Sequence, residues 1–421
     1  MQARNEETSE RAALSGVRVL DFTERIQGPY GTQILGDLGA EIIKIERPQV
    51  LAPDGQADSR YGRGPGDPEP LEGTHLYTSH VLAMNRNKKS VAIDLKSGEG
   101  RAVVERLVAL CDVVYENFRP GVMERLGVGY EQCRELNPSI VYASASGYGP
   151  DGPYVHRPGQ DVLTQAIGGF GAINVSGEGR PTAVGMSITD VMGGMNGATA
   201  VLAALFHRER TGEGQRVSVN LLDSAIAAQS EQGVHFLNTS VGEPRRETAM
   251  HAHPYIPPPY GFYATKDGYL ALSSGRQISE VCRILEIDDL SEDPRFSEVR
   301  IRDRNRVVFE EALEAALSHR TTAEWMELME PEDIFAAPVK TFEETFKDPQ
   351  VVHNEMVVTI DSPIGDLRLV GPPYKFSRTP ATIRTAPPLH GQHTIEILRL
   401  AGYDDNEIDR LQQQGAVVKG A

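Results

Sequence analysis

One carboxylate, one tight turn and a few basic residues are the parts of this chain best suited to chemistry. Asp190 stands in Gly185-Met-Ser-Ile-Thr-Asp190-Val-Met-Gly193, at the start of a stretch that reads as one long helix from Thr189 to Arg210. A carboxylate at a helix N-terminus is held ionised by the unpaired N–H groups and the helix dipole. The glycines that follow let another backbone or a ligand come close. An Asp there serves equally well as a plain N-cap, and the residues alone leave both roles open. The second feature is the turn Thr23-Glu-Arg-Ile-Gln-Gly28-Pro-Tyr-Gly31 after the first strand. Its glycine spacing is not G-x-G-x-x-G, so NAD or FAD is not supported. The next strand ends Glu46-Arg47, which suits a ribose diol or a ribose phosphate, or merely water. Basic islands are few: Arg86-Asn-Lys-Lys89, Lys96, Arg119 and Arg125. At strand ends they fit an anionic nucleotide ligand, or read equally as a few solvated cations. His251-Ala-His253 has the look of a metal pair, but no third ligand accompanies it and no metal site is expected.

The elements that carry these residues alternate. Val17–Phe22 reads as a strand, Gly28–Gly39 as a helix and Glu41–Glu46 as a strand, a βαβ unit with a parallel pair. Strands follow at 90–94, 112–116 and 140–144, with a helix at 98–110 between the first two. This pattern predicts an α/β fold: a Rossmann-like large domain with an open parallel sheet, plus a smaller α+β domain. The small residues Gly193, Gly194, Gly197, Ala198 and Ala200 weaken a helix, so close backbone packing must compensate. A further helix is expected over 219–238. Boundaries are expected as a polar tail at 1–13, the large domain at 14–225, a linker at 226–262, the small domain at 263–335, and a linker and return to the large domain at 336–421. Residues 48–80 are Pro/Gly-rich and read as irregular.

Composition narrows the setting. The chain has 421 residues, with 42 Lys+Arg against 59 Asp+Glu, so 42 − 59 = −17. An acidic chain is a poor partner for nucleic acid or an anionic membrane. No apolar run approaches the roughly 18 residues of a spanning helix. Three scattered cysteines, Cys111, Cys133 and Cys282, exclude a disulfide framework. A cytoplasmic setting is the expectation.

Taken together and in order, the motifs become distinctive. "LSGVRVLDFT…GPYGTQILGDLGAEIIKIERP", "NRNKKSVAIDLKSGEGR", "DVVYENFRPGVMERLGVGYE", "NPSIVYASASGYGPDGPY" and "TDVMGGMNGATAVLAALFHRERTGEGQRV" resemble the class III CoA-transferases. That family includes formyl-CoA transferase, carnitine CoA-transferase and the α-methylacyl-CoA racemases. The resemblance is dense over 14–225, weaker from 240 to 340, and closes on "PPLHGQHTIEILRLAGY". It implies a ring-shaped chain and an interlocked homodimer. It implies that acyl-CoA is a substrate, with no tightly bound cofactor. Ile26, Gln27 and Gly28 match the segment along the thioester. Arg47, Ile93, Lys96, Asn117, Phe118 and Arg125 match coenzyme contacts.

The resemblance further implies that Asp190 is the nucleophile and that Asp161 and Gln27 support it. Asp190 would attack the donor thioester and carry CoA as an aspartyl thioester, covalent catalysis that divides one exchange into easier steps. The oxyanion would be met by backbone N–H groups. A glycine-rich small-domain loop covers the site in formyl-CoA transferase; Ser273-Ser-Gly-Arg-Gln277 is the counterpart and has a single Gly. The racemases carry His-Asp where this chain has Gln160-Asp161. Glutamine has no useful acid or base at neutral pH, so CoA transfer is favoured over the alternative, a 2-methylacyl-CoA racemase. His156 could substitute as a base, and His390 and His393 read as structural. A non-catalytic acyl-CoA-binding subunit and a nicotinamide oxidoreductase are the other classes considered. Asp190 opposes the first and the missing glycine fingerprint the second.

Overall fold

The computed structural model describes residues 12–48, 79–175, 179–240, 242–244, 246, 250–363 and 365–420. Most of the irregular 48–80 stretch and most of the polar tail therefore lie outside the described residues. The chain divides into two units. The first comprises Met1–Thr164, Met186–Ala228 and Pro349–Ala421, and the second Gln165–Gly185 and Gln229–Asp348.

The first unit is built on strands β1 (Arg18–Asp21), β2 (Glu41–Glu46), β3 (Lys88–Ile93), β4 (Val113–Glu116), β5 (Val141–Ser146) and β6 (Arg216–Asn220). Their order is β3-β2-β1-β4-β5-β6, all parallel, with Val417–Val418 added antiparallel beside β3. Runs such as Ile42-Ile43 and Val113-Val114 are buried on both faces, as a parallel sheet between helix layers requires. One face packs Leu20, Ile43, Val91 and Val114 against Val104, Leu107 and Val108 of the helix at Gly98–Leu110, with Ile397, Leu398 and Leu411 of the C-terminal return. The other packs Val19, Ile42, Val113 and Ala143 against Leu35, Ala198 and Val201.

The helices follow from sequence in the same way. Helix α1 (Gln27–Asp37) fills the first crossover, and α2 (Gly98–Leu110) the next. The Ser97 hydroxyl accepts from Gly100 N–H at 2.9 Å and opens α2. Helix α3 (Asp161–Ile167) precedes α4 (Ile188–Thr211), and α5 (Leu221–Ala228) follows β6. Helix α4 is long and apolar enough to span a membrane, contrary to the expectation that no such run exists. It is instead a core helix: Gly193, Gly194, Gly197, Ala198 and Val201 are buried. The expected close packing is present. A Cβ on Gly194 would meet the Gln27 carbonyl at 2.6 Å, and one on Gly197 would overlap the Tyr115 hydroxyl.

Three expectations require correction. The helix expected over 219–238 is strand β6, α5 and a separate helix at Ser230–Asn238. Residues 216–220 become strand because β5 offers an open parallel edge. Residues 165–185, expected in the large domain, belong to the second unit. There Gln229 Nε2 donates to the Gly168 carbonyl at 2.7 Å, and Arg246 reaches the Val175 carbonyl at 2.9 Å. The same unit absorbs most of the expected 226–262 linker.

The second unit pairs β7 (Tyr260–Ala264), β8 (Tyr269–Ser273) and β9 (Ala336–Pro338) antiparallel. Helices α6 (Ile278–Leu285), α7 (Arg306–Leu317) and α8 (Thr322–Met329) surround a core of Tyr263, Leu272, Val281, Phe309 and Trp325. The Trp325 indole donates to the Leu317 carbonyl at 2.7 Å, so its polar end is satisfied. Back in the first unit, β10 (Val357–Ile360) and β11 (Leu367–Val370) form an antiparallel hairpin.

Candidate active site

Asp190 lies in the first turn of α4, but it is not the cap. The helix begins at Ile188, and Ser187 at the N-cap makes no side-chain cap bond. The cap comes from elsewhere in the chain. Asp161 Oδ1 accepts from Thr189 N–H at 2.8 Å, from the Thr189 hydroxyl at 2.8 Å and from Asp190 N–H at 3.3 Å. The buried Thr164 and Thr189 hydroxyls meet at 2.8 Å behind it. Asp161 thus satisfies the orphan donors that Asp190 would otherwise be suited to take. Among the described residues no hydrogen bond reaches the Asp190 carboxylate.

The charge state of Asp190 differs from the expectation of a carboxylate held ionised by the helix. Burial, and then the negative charge of Asp161, push it up to about 7. Desolvation outweighs the dipole because the N–H groups that would solvate the anion are already bonded to Asp161. The result is a carboxylate that is basic for its type and, among the described residues, without a hydrogen-bond partner.

The first βα turn faces the same helix. Gln27 is buried; its Nε2 lies 3.4 Å from the Ser146 carbonyl at the end of β5. A Cβ on Gly193, one turn beyond Asp190, would come within 2.9 Å of Gln27 Nε2. Ile26 is the partly buried N-cap of α1. The turn is pinned to β4 by a reciprocal pair: Glu24 N–H donates to Asn117 Oδ1 and Asn117 Nδ2 to the Glu24 carbonyl, both at 2.8 Å. Gly28 is required here, since a Cβ would meet Thr23 Cγ2 at 2.4 Å.

The remaining candidates scatter around the same strand ends. Phe118 N–H donates to Glu116 Oε2 at 2.8 Å, and burial pushes the Glu116 carboxyl up to about 7. Arg47 is exposed and 3.7 Å from Glu24, while its carbonyl meets His390 Nε2 at 2.7 Å. Lys96 and Arg125 are exposed. Ile93 is core: its side chain is buried, so it offers a ligand only backbone at the end of β3. The basic island is corrected more sharply. Arg86 is bonded to Asp37, Lys88 to Asp21, and Lys89 to Glu41 and Glu396. These cations are spent inside the fold. Asn87 beside them accepts from Arg384 N–H at 2.6 Å and donates to the Thr382 carbonyl at 2.8 Å, clamping the C-terminal return.

The other tempting residues have surroundings of their own. Gln160 and His156 are exposed. His253 Nε2 lies 2.6 Å from Gln232 Nε2 and 3.3 Å from Glu231, and burial brings His251 down to about 4. Among the described residues no group of three or more ligand side chains could hold a metal. His393 Nδ1 accepts from Ser90 N–H at 3.2 Å, a structural tie. A cavity of about 1000 Å³ opens at the N-terminal ends of β1–β3, lined by Arg18, Glu41, Lys89 and Arg384. Open α/β sheets bind at the carboxyl ends of their strands. Arg18 and Lys89 there are already paired with Glu41, so the coenzyme is not placed in it. Residues that sequence reasoning missed are Thr164, Thr189 and Asp21, and Lys88 was read only as part of the basic island; the Asp190 neighbourhood of Thr189 could have flagged one of them.

The family described as CoA-transferase family III matches residues 14–394. Succinyl-CoA:glutarate CoA-transferase of Mus musculus is 36% identical over 408 residues, 96% of this chain and 90% of that protein. Succinate–glutarate CoA-transferase of Agrobacterium fabrum is 34% identical over 91% of this chain and 94% of its own. A crystal structure of a CAIB/BAIF family protein from Brucella suis matches with a TM-score of 0.81 at 30% identity, covering 93% of this chain and all 100% of that one.

Proposed function

The chain belongs to CoA-transferase family III and is an acyl-CoA:carboxylate CoA-transferase; from that premise we propose that CoA travels through a covalent intermediate on Asp190. The observation that carries the proposal is the cap supplied by Asp161, which leaves the Asp190 carboxylate unbonded. In the first step the Asp190 carboxylate attacks the donor carbonyl. The C–S bond breaks, giving a mixed anhydride and CoA thiolate. The thiolate then attacks the aspartyl carbonyl, releasing the donor carboxylate and leaving an aspartyl-CoA thioester. The acceptor carboxylate attacks that thioester to form a second anhydride, and CoA thiolate attacks its acceptor carbonyl, freeing Asp190. No proton is consumed or released overall.

Gln27 supports this reading by its place against Gly193, with its amide able to donate toward the reacting carbonyl. Ile26, Arg47, Ile93, Lys96, Asn117, Phe118 and Arg125 are proposed along the coenzyme. Names of the relatives point to succinyl-CoA as donor and a short dicarboxylate as acceptor. Nothing favours the racemase reading, since the exposed Gln160 supplies no second proton-exchanging group.

We further propose the interlocked homodimer. The match to the family over nearly the whole chain supports this reading. Light scattering should then give about twice the 46.0 kDa chain mass, and a fully active monomer would refute it. A cytoplasmic setting is supported by three buried, unpaired cysteines.

The decisive experiment is Asp190→Ala with a succinyl-CoA and glutarate exchange assay. A loss of at least about 10³ in kcat is expected, as for other covalent nucleophiles. Hydroxylamine added with acyl-CoA should inactivate the wild type and label Asp190. Near-normal turnover of the variant, or a label elsewhere, would sink the mechanism.

A further inference from the structure

Beneath the first βα turn lies a charge pair that none of the coenzyme assignments uses. Asp21 ends β1, Lys88 begins β3, and both side chains are fully buried. Lys88 Nζ donates to Asp21 Oδ2 at 3.1 Å, to Thr32 Oγ1 at 2.8 Å and to the Pro29 carbonyl at 3.0 Å. An ammonium has three protons, so all are spent. Asp21 Oδ1 accepts from Thr23 N–H at 2.8 Å and from the Thr23 hydroxyl at 2.5 Å, and Oδ2 accepts from Thr32 Oγ1 at 2.7 Å. Lys44 Nζ donates to the Thr23 carbonyl at 2.7 Å.

The bonds run in one direction. They tie the end of β1 to the first residue of the turn and to the first turns of α1. Between those anchors sits Glu24–Ile26, with Arg25 in the left-handed region at φ 69°. The turn delivers Gln27 against Gly193 of the nucleophile's helix. A buried ion pair is no better for stability than apolar residues of the same size. What it supplies is a fixed geometry.

We propose that Lys88 is a positioning residue for CoA transfer: its ammonium locks the end of β1 onto α1 and so sets where Gln27 meets the helix of Asp190. This rests on Ile26–Gly28 lying along the thioester. The charged groups facing Lys88 are Asp21 from β1 and Lys44 and Glu46 from β2. Burial brings the ammonium down to about 8, with Asp21 holding it up against that fall. Above this pH one of the three donated bonds is lost and the turn loosens.

The test compares wild type, Lys88→Met and Asp21→Asn/Lys88→Met by kcat/KM for succinyl-CoA across pH. The double variant removes both charges together, so it keeps a neutral core if the single variant does not fold. Wild type should show an alkaline limb near about pH 8. The double variant should lack that limb and lose about tenfold or more in kcat/KM, mostly in kcat, the scale of a misplaced positioning group. A folded double variant with wild-type kcat/KM, or with the alkaline limb retained, overturns the proposal. So does a wild-type profile that stays flat well above pH 8, which needs no variant at all. An Asp190→Ala enzyme that still turns over would refute the nucleophile and leave the alkaline limb in place, so the two readings fail separately.

Discussion

Replacing Asp161 with Asn removes one negative charge and keeps the cap. Asn Oδ1 can still accept from Thr189 N–H, and Asn is as good a cap as Asp. The charge matters through Asp190, which is held at about 7 against an ordinary 3.8, first by burial and second by Asp161. Because burial is the larger cause, removing Asp161's charge should lower the acid limb of kcat/KM by about one pH unit, to about 6. At pH 6 the ionised fraction of Asp190 then rises from about one-tenth to about one-half, so the variant should run up to about fivefold faster there. Near pH 8 the order reverses. Both enzymes are ionised, but the wild-type anion is raised in energy by Asp161 and loses that repulsion on acylation. The variant lacks this push and should be slower by about two- to tenfold. The assay is succinyl-CoA and glutarate exchange in overlapping buffers, and its signature is two curves that cross. An acid limb that stays in place, or moves up, would refute the electrostatic coupling of the two carboxylates. Asp161→Ala is the control: it also loses the cap, which should cost about 0.5–2 kcal/mol.

Other outcomes follow from single side chains. Glu116→Gln should raise Tm at pH 8 and leave it nearly unchanged at pH 4. The folded carboxyl titrates at about 7 against an ordinary 4.5, so between those values the fold keeps a proton that the unfolded chain releases. Stability falls as pH rises through that window, by about 3 kcal/mol, and glutamine removes the loss; a variant destabilised at pH 8 would contradict this. Among the described residues the buried Tyr115 hydroxyl has no hydrogen-bond partner, and it occupies the place a Cβ on Gly197 would need. Tyr115→Phe should therefore be neutral or slightly stabilising, Gly197→Ala should cost about 1–3 kcal/mol, and the double variant should recover part of that; strict additivity in thermal melts would rule out the clash. Incubating (R)-2-methylacyl-CoA in deuterated water should give no α-deuterium while carboxylate exchange proceeds. Rapid deuterium uptake would restore the racemase reading, with His156 the first residue to mutate.

Much of this protein was legible in the chain itself. Strand-forming runs such as Glu41–Glu46 and Val113–Glu116 separated by amphipathic helices dictate a parallel sheet covered on both faces. Glycines and alanines at helical spacing in 193–200 dictate a helix pressed against other backbone. Local pattern carries these features because strand and helix periods are properties of neighbours in sequence. What tertiary structure alone decided is which polar groups are left over. Residues 216–220 became a strand only because β5 offered an edge. Arg86, Lys88 and Lys89 looked like a nucleotide-binding island until the fold brought Asp37, Asp21 and Glu41 to them. Asp190 looked like a cap until Asp161, 28 positions away from Thr189, took that place. Sequence states which charges and donors exist. Only the fold pairs them, because pairing depends on distances between residues remote in the chain, and the group left unpaired is the one free to react.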